Sequence, residues 1–221
     1  MSRYDNYHHI PLTLSAPLEE QRPMLERALV NAQKRLAAFA SRHGWLEHLK
    51  ESFCDGCEIF DSKEAFDATL LELSRFPDST KLPGTYSAAI EERTLIAVSP
   101  DIYEENYPQG VEPRSYEKLL CHEMAHRLHI RILRDEEDLM GPVWFFEGFA
   151  IYAAGQFEKT SRTLKFEEIK KIISNRERAD YRLYGSLIRT LLRLTSLNDL
   201  VERARGDDFN LYVRRLAAQI K

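Results

Sequence analysis

Segments with strand character lie in the first hundred residues of this chain, and helical periodicity dominates the rest. Two β-prone runs, TYSAAI at 85–90 and TLIAVS at 94–99, are joined by three charged residues and predict a hairpin. A shorter run, CEIF at 57–60, predicts one more strand. This order is typical of an α+β fold in which a small mixed sheet is followed by a mostly helical C-terminal half.

The helical segments can be placed from the spacing of their apolar residues. Apolar side chains recur at three- and four-residue steps from Leu18 to Phe39, which predicts a helix that Gly44 interrupts. Asp61 or Ser62 is expected to cap the next helix. Further helices are predicted over 115–133, 143–157, 165–175 and 181–194, with one or two more up to 220. We therefore expect an N-terminal arm and helical extension, residues 1–50, followed by one domain, residues 51–221.

Composition and charge exclude several classes of protein. With 43% hydrophobic and 30% charged residues among 221, the chain can bury a core and is neither collagen-like nor of low complexity. The 31 basic and 35 acidic residues are well mixed, which argues against binding to nucleic acid or to an anionic membrane. No apolar run approaches the roughly 18 residues of a membrane span, and no signal peptide is visible. Three cysteines suit a reducing compartment, so we expect a cytoplasmic protein, whose oligomeric state stays open.

The segment LLCHEMAHRL at 119–128 contains an HExxH motif on a predicted helix. Residues four positions apart share a helix face, so His122 and His126 can direct two imidazoles at one metal ion. Glu123 lies one step round the helix, where it can accept a proton from a metal-bound water. The motif therefore predicts a metal site with a glutamate base beside it.

Two candidates for a third ligand near the motif do not fit. The HExxHxxGxxH pattern requires glycine at 129 and histidine at 132, whereas the chain has His129 and Ile132. His129 is also about 10 Å from His122 along the helix axis, too far for one zinc to hold both of them and His126 from one straight helix. We interpret His129 as a residue at the edge of the core or as one that supports the ligands.

A better third ligand lies in the second apolar helix, PVWFFEGFAIYAAGQF at 142–157. Aromatic and aliphatic residues flank Glu147 on both sides, and a buried carboxylate is costly unless a cation meets it. That cation is either a zinc ion or an arginine. The segment 127–146 is long enough for the first helix to end, a charged loop to turn and a second helix to return alongside.

These motifs resemble those of the gluzincin metallopeptidases. HEMAH followed by WFFEGFAIY is similar to the zinc motif and the W-L-N-E-G-F-A-x-Y segment of the M1 aminopeptidase family, although the spacing is slightly longer and Phe146 replaces an asparagine. The resemblance covers about residues 55–215. It implies a zincin-like metallopeptidase domain with one Zn²⁺ per chain, bound by His122, His126 and Glu147, with Glu123 as the general base.

The same resemblance implies a peptidase that hydrolyses peptide or protein substrates. The segment DYRLYGSLIRTLLRL at 180–194 is similar to the helix that supplies an oxyanion-stabilising tyrosine in such enzymes, and either Tyr181 or Tyr184 fits, with Tyr181 narrowly preferred. TYSAAI or TLIAVS could serve as the strand against which a substrate backbone pairs. The G-x-M-E-N segment that reads a free N-terminus in the M1 family is absent, so aminopeptidase specificity is not supported.

Two alternatives remain open at this point. The chain could be a zinc-binding domain on the same fold that cleaves nothing and instead binds a partner or regulates a pathway. It could also be a latent enzyme whose N-terminal helix covers the cleft. Among the remaining features, we interpret Cys54 and Cys57 as ordinary thiols at the start of a strand, Cys121 as packed within its helix, and His8 and His9 as surface residues.

Overall fold

The computed structural model describes residues 7–77, 79–175 and 180–220, and within these ranges the protein is a mixed α+β fold. Its contacts divide the chain into two compact units, Met1–Ala38 with Leu49–Met124 and Phe39–His48 with Ala125–Lys221. The predicted division into residues 1–50 and 51–221 stays a prediction. No helix in the described ranges is long and apolar enough to cross a membrane.

The first unit contains a four-stranded sheet, counted over the described residues, with strand order β1-β2-β4-β3. Its strands are β1 (Leu12–Leu14), β2 (Gly56–Phe60), β3 (Ala88–Glu91) and β4 (Thr94–Val98). β2 pairs in parallel with both β1 and β4, whereas β3 pairs antiparallel with β4 and forms one edge. Residues 95–98 are fully buried, so β4 lies at the centre of this unit's core.

The predicted hairpin and the CEIF strand are confirmed, with a tighter turn than expected. Glu91 pairs with Thr94, which leaves only Glu92 and Arg93 in the turn. Both have positive φ, 44° and 66°, as the two-residue turns that match strand twist require. The Arg93 guanidinium donates to the Asp55 carboxylate at 2.6 Å and 2.9 Å and ties this turn to the residues before β2.

The N-terminal segment contributes more structure than its sequence indicated. Residues 12–14 form β1, which pairs with β2 from Leu12↔Cys57 to Leu14↔Ile59. A short 3-10 helix then leads into α1 (Arg22–His43), which ends at Gly44 with φ 78°. The predicted helix and its interruption at Gly44 are confirmed.

Two further helices belong to the first unit. Ser62 caps α2 (Lys63–Leu73) by accepting a hydrogen bond from the Ala65 amide at 3.2 Å, which settles the choice between Asp61 and Ser62. α3 (Pro100–Asn106) falls in a segment for which the sequence predicted no helix. The Ser99-Pro100 pair starts it, because proline is well tolerated in the first helical turn.

Helix α4 (Ser115–Ile132) is continuous and follows a loop that begins after α3. The Tyr116 hydroxyl donates to the Val98 carbonyl at 2.8 Å, which fixes the start of α4 against the end of β4. The helix is buried along most of its length; Leu120, Cys121, Ala125 and Leu128 are each 0% exposed.

The second unit is helical. Its helices after α4 are α5 (Val143–Ala154), α6 (Phe166–Ser174), α7 (Tyr181–Leu191), α8 (Leu197–Ala204) and α9 (Phe209–Ala217), which confirms the predicted helical C-terminal half. α5 starts after Pro142 and ends at Gly155, whose φ of 67° stops the helix. Trp144 stacks on Phe209 of α9 with ring centroids 5.3 Å apart, so α5 packs against the last helix of the described chain.

Candidate metal centre

Helix α4 carries the two histidines of the HExxH motif on one face. His122 and His126 lie one turn apart within this unbroken helix, as their spacing predicted. His122 is 7% exposed, and the His126 side chain is 20% exposed. Both imidazoles are therefore partly desolvated, but His126 retains access to solvent.

Helix α5 supplies the carboxylate. Glu147 is 2% exposed, and its neighbours Phe145 and Phe149 are completely buried. The ring of Phe146 meets the His126 imidazole edge-to-face at 5.8 Å, so Phe146 packs against a candidate ligand. These contacts leave the carboxylate in an apolar setting in which a cation is favourable.

The ligand atoms of His122, His126 and Glu147 all lie within 4.8 Å of one another. Between His126 Nε2 and Glu147 Oε2 the distance is 3.6 Å, which is longer than an ordinary hydrogen bond. Two ligands on a tetrahedral zinc at typical bond lengths are roughly 3.4 Å apart. His126 and Glu147 are therefore close to the spacing of two zinc ligands, and separations of up to 4.8 Å within the group would shorten by about 1.4 Å when a metal binds. The donor set of two imidazoles and one carboxylate is one that zinc accepts.

Glu123 follows His122 directly on α4 and is half-buried. It is not a member of the three-residue metal group found among the described residues. A carboxylate beside a metal site, with partial access to solvent, can exchange a proton with a water molecule. Its assignment as general base stays a prediction.

His129 lies in the core and does not join the metal group. It is 0% exposed, stacks on Phe149 with ring centroids 4.4 Å apart and meets Phe145 edge-to-face at 5.6 Å. Burial, with a smaller contribution from the charge of His126, lowers the pKa of His129 to about 3. His129 is therefore a neutral core residue at ordinary pH, which agrees with its exclusion as a ligand.

The three cysteines are buried free thiols. Burial raises the pKa of Cys54 to about 11 and that of Cys121 to about 12, and it raises the pKa of Cys57 further still. Thiols held in the protonated form are poor nucleophiles and poor metal ligands. The interpretation of Cys54 and Cys57 as structural residues is consistent with this.

His8, expected at the surface, is instead half-buried and anchors the N-terminal segment. Its backbone amide donates to the Gln33 side chain at 2.7 Å, and Gln33 donates back to the His8 carbonyl at 3.0 Å. The His8 imidazole hydrogen-bonds the Leu49 carbonyl at 3.0 Å. Its neighbour His9 is exposed, as expected.

Comparison of the chain with protein-family models, curated proteins and solved structures gives no match. The likeness to gluzincins therefore rests on the two motifs, HEMAH and WFFEGFAIY.

Helix α7 lies directly against α5 beside Glu147. The Tyr184 carbonyl oxygen is 3.2 Å from the position that a Cβ on Gly148 would occupy. Tyr184 is 1% exposed, Tyr181 is half-buried, and their rings meet edge-to-face at 6.0 Å. The structure thus brings the helix that carries both tyrosines next to the predicted ligand helix, and the choice of oxyanion donor stays a prediction.

The close approach of α5 and α7 was not predicted from the sequence. The sequence does contain an indication of this close approach. Gly148 and Gly185 each stand inside a predicted helix, where glycine costs about 1 kcal/mol relative to alanine. Nothing in the local pattern showed that Gly148 faces α7 and that Gly185 faces α5.

Proposed function

We propose that this protein is a zinc-dependent peptidase with a zincin-like fold of gluzincin type. The observation that carries the proposal is the convergence of His122, His126 and Glu147 from two helices within 4.8 Å, beside a glutamate that directly follows the first histidine. A site that only held zinc would not need Glu123, because its carboxylate lies outside the metal group.

His122, His126 and Glu147 would hold the metal, and a zinc ion bound there supplies a water of lowered pKa and polarises a substrate carbonyl. Glu123 would take a proton from the attacking water and deliver it to the leaving amine. The burial of Glu147 supports its role as a ligand because its charge is then met by the metal rather than by solvent.

Two further parts of the protein support substrate handling. Tyr181, half-buried at the start of α7, is the better placed of the two tyrosines to donate to an oxyanion, because the Tyr184 ring is almost fully enclosed. β3 lies at an edge of the described sheet, the kind of strand to which an extended peptide can add.

The proposal is tested by Glu123→Gln, with the same substitution at exposed Glu158 as the matched control. We expect the Glu123 variant to keep its metal and fold but to lose about 10²–10⁴-fold in peptide hydrolysis, because the base is gone while the ligands remain. Hydrolysis is measured on a broad peptide library and by mass spectrometry of new N-termini formed in a lysate.

Two results would count against the peptidase. Undiminished hydrolysis in Glu123→Gln would exclude the proposed mechanism. A wild-type protein that binds zinc but cleaves nothing in the library or the lysate would support the non-proteolytic, partner-binding alternative instead.

A further inference from the structure

Helices α5 and α7 cross at a pair of glycines. A Cβ added to Gly148 would lie 2.8 Å from Ile188 Cγ1, and one added to Gly185 would lie 2.7 Å from Ile151 Cγ2. Real Cβ atoms essentially never approach heavy atoms below 3.0 Å, so alanine at either position forces something to move. The two helices pack closely here because neither residue has a side chain.

The two glycines lie next to residues that the proposed reaction needs, Glu147 on α5 and the two tyrosines on α7. Gly148 directly follows the ligand Glu147 on α5, and Gly185 lies one turn after Tyr181 and directly after Tyr184 on α7. Glycine within a helix weakens that helix, so both helices carry an unfavourable residue where they touch. The close packing of α5 and α7 that the glycines allow offsets this loss of helix stability.

The other sides of α5 resist displacement. Phe149 is stacked on His129 of α4 at 4.4 Å, and Trp144 is stacked on Phe209 of α9 at 5.3 Å. The Trp144 indole also donates to the Asn210 side chain at 3.1 Å. Because α5 is held in place by these contacts, a methyl group added at either glycine is expected to push α7 away from α5. It is not expected to push α5 towards α4.

We propose that Gly148 and Gly185 are positioning residues that set the distance between the metal ligand Glu147 and the tyrosine on α7 that stabilises the oxyanion. The inference deepens the proposed function and depends on it. Neither glycine contacts the substrate in this scheme. Each acts by letting α7 approach the metal site.

The test measures the distance from metal to tyrosine directly and does not depend on hydrolysis. Full-length protein labelled with 3-fluorotyrosine is loaded with Co²⁺ or with Zn²⁺, and fluorine relaxation is compared between the two metals. Tyr181→Phe and Tyr184→Phe assign the two signals. The paramagnetic enhancement falls with the sixth power of distance, so a small movement of α7 is measurable.

We expect a strong enhancement at Tyr181 in the wild type and a loss of roughly half of it in Gly185→Ala, for a displacement of about 1 Å. Such a displacement costs an enzyme on the order of 10²-fold in kcat. Co²⁺ affinity should change little, because Glu147 and the histidines stay in place. Gly148→Ala should behave in the same way.

Matched variants separate positioning from a general loss of stability. Gly84→Ala is the control, since a Cβ there meets nothing within 4 Å. Adding Ile151→Ala to Gly185→Ala removes Ile151 Cγ2 and leaves Ile151 Cβ at 3.9 Å. The other close atom, Arg189 Nη1 at 2.9 Å, is the end of a flexible side chain that can move aside, so the enhancement should be restored. Ile151→Ala alone, which only opens a cavity, should leave the enhancement at its wild-type value.

The outcomes distinguish this inference from the proposed function. Wild-type protein that binds neither metal overturns the metal site and the positioning role with it. Metal binding with no enhancement at either tyrosine, or with the same enhancement in both glycine variants, overturns the positioning role alone. A loss in Gly185→Ala that Ile151→Ala does not restore also counts against it.

Discussion

At the scale of single residues, the burial of Glu147 links metal binding to stability. Its carboxylate is 2% exposed, and it lies 3.6 Å from the His126 imidazole. A buried charge costs several kcal/mol unless it is compensated. Metal bound by this residue would compensate the charge, so the free energy of binding would contribute to the folded state.

Replacing Glu147 by glutamine removes the charge and keeps the size of the side chain. We expect zinc affinity to fall by more than about 10²-fold. This is more than the loss that is typical when a residue that only hydrogen-bonds to a metal ligand is replaced. Zinc per chain is measured by elemental analysis after dialysis against a weak chelator. Glu158→Gln, at an exposed position, should bind as the wild type does; metal content unchanged in Glu147→Gln would remove this residue from the site.

His129 makes stability depend on pH. Burial lowers its pKa to about 3, whereas an unfolded chain titrates near 6.5, so below that pH the unfolded state binds a proton that the folded state does not. The unfolding free energy therefore falls as the pH drops from about 6.5 towards 3. Between pH 6.5 and 5 the loss attributable to this residue is about 2 kcal/mol.

His129→Leu should remove that dependence. In metal-free protein, the variant should be at least as stable as the wild type at pH 7, because neither ring nitrogen of His129 has a hydrogen-bond partner within the described ranges. At pH 5 its advantage should grow by about 2 kcal/mol. Urea unfolding at the two pH values measures this, with His9→Leu as the exposed control. If the unfolding free energies of wild type and His129→Leu change with pH in the same way, burial does not lower the pKa of the His129 imidazole.

At the scale of elements, substitutions in α7 can distinguish the roles of Tyr181 and Tyr184. Tyr181→Phe should lower kcat by roughly 10²–10³-fold with little change in KM, because one oxyanion donor is lost. Tyr184→Phe should mainly alter thermal stability, because its ring is 1% exposed. The measurements are steady-state kinetics and thermal unfolding of both variants. If the two exchange behaviour, Tyr184 is the donor.

Elements with strong local signals could be predicted from sequence, and elements that depend on distant partners could not. The α4 histidines share a face because helix geometry is local, and the Ser62 cap and the 94–98 strand follow from nearby residues. β1 could not be predicted because its three residues, 12–14, are too few to show alternation, and its stability comes from pairing with residues 57–59.

The candidate site shows the same limit. The apolar neighbours of Glu147 indicated a buried carboxylate, but its approach to the histidines depends on how α5 packs. The tyrosines could not be separated by sequence because residues 181 and 184 lie on the same helix face. Burial distinguishes them, and burial is set by α5 and the rest of the unit.

At the scale of the whole molecule, residues 7–38 are tied to the rest of the first unit. β1 pairs with β2, and the His8 backbone is bound to Gln33 by two hydrogen bonds. α1 buries Leu25, Leu29 and Leu36, each at most 4% exposed. Removal of residues 1–50 would expose the edge of β2 and the apolar surface that α1 covers.

Truncation tests this against the latent-enzyme alternative. We expect the melting temperature to fall from the full chain to a chain of residues 15–221, which lacks β1, and further to residues 51–221, which also lacks α1. The shortest chain should be aggregation-prone and inactive. A cooperative unfolding transition together with new peptidase activity in residues 51–221 would show instead that the N-terminal segment is inhibitory.

The order of elements along the chain also sets an order in time. All the described strand pairs lie before residue 99, whereas the candidate ligands run from His122 to Glu147. A nascent chain leaves the ribosome from its N-terminus, so the sheet can be completed before the last ligand has been synthesised. For the proposed zinc site, metal capture would then be a late event in biogenesis, and a shortage of zinc in the cell would produce chains with a finished sheet and an unfilled site rather than chains that never begin to fold.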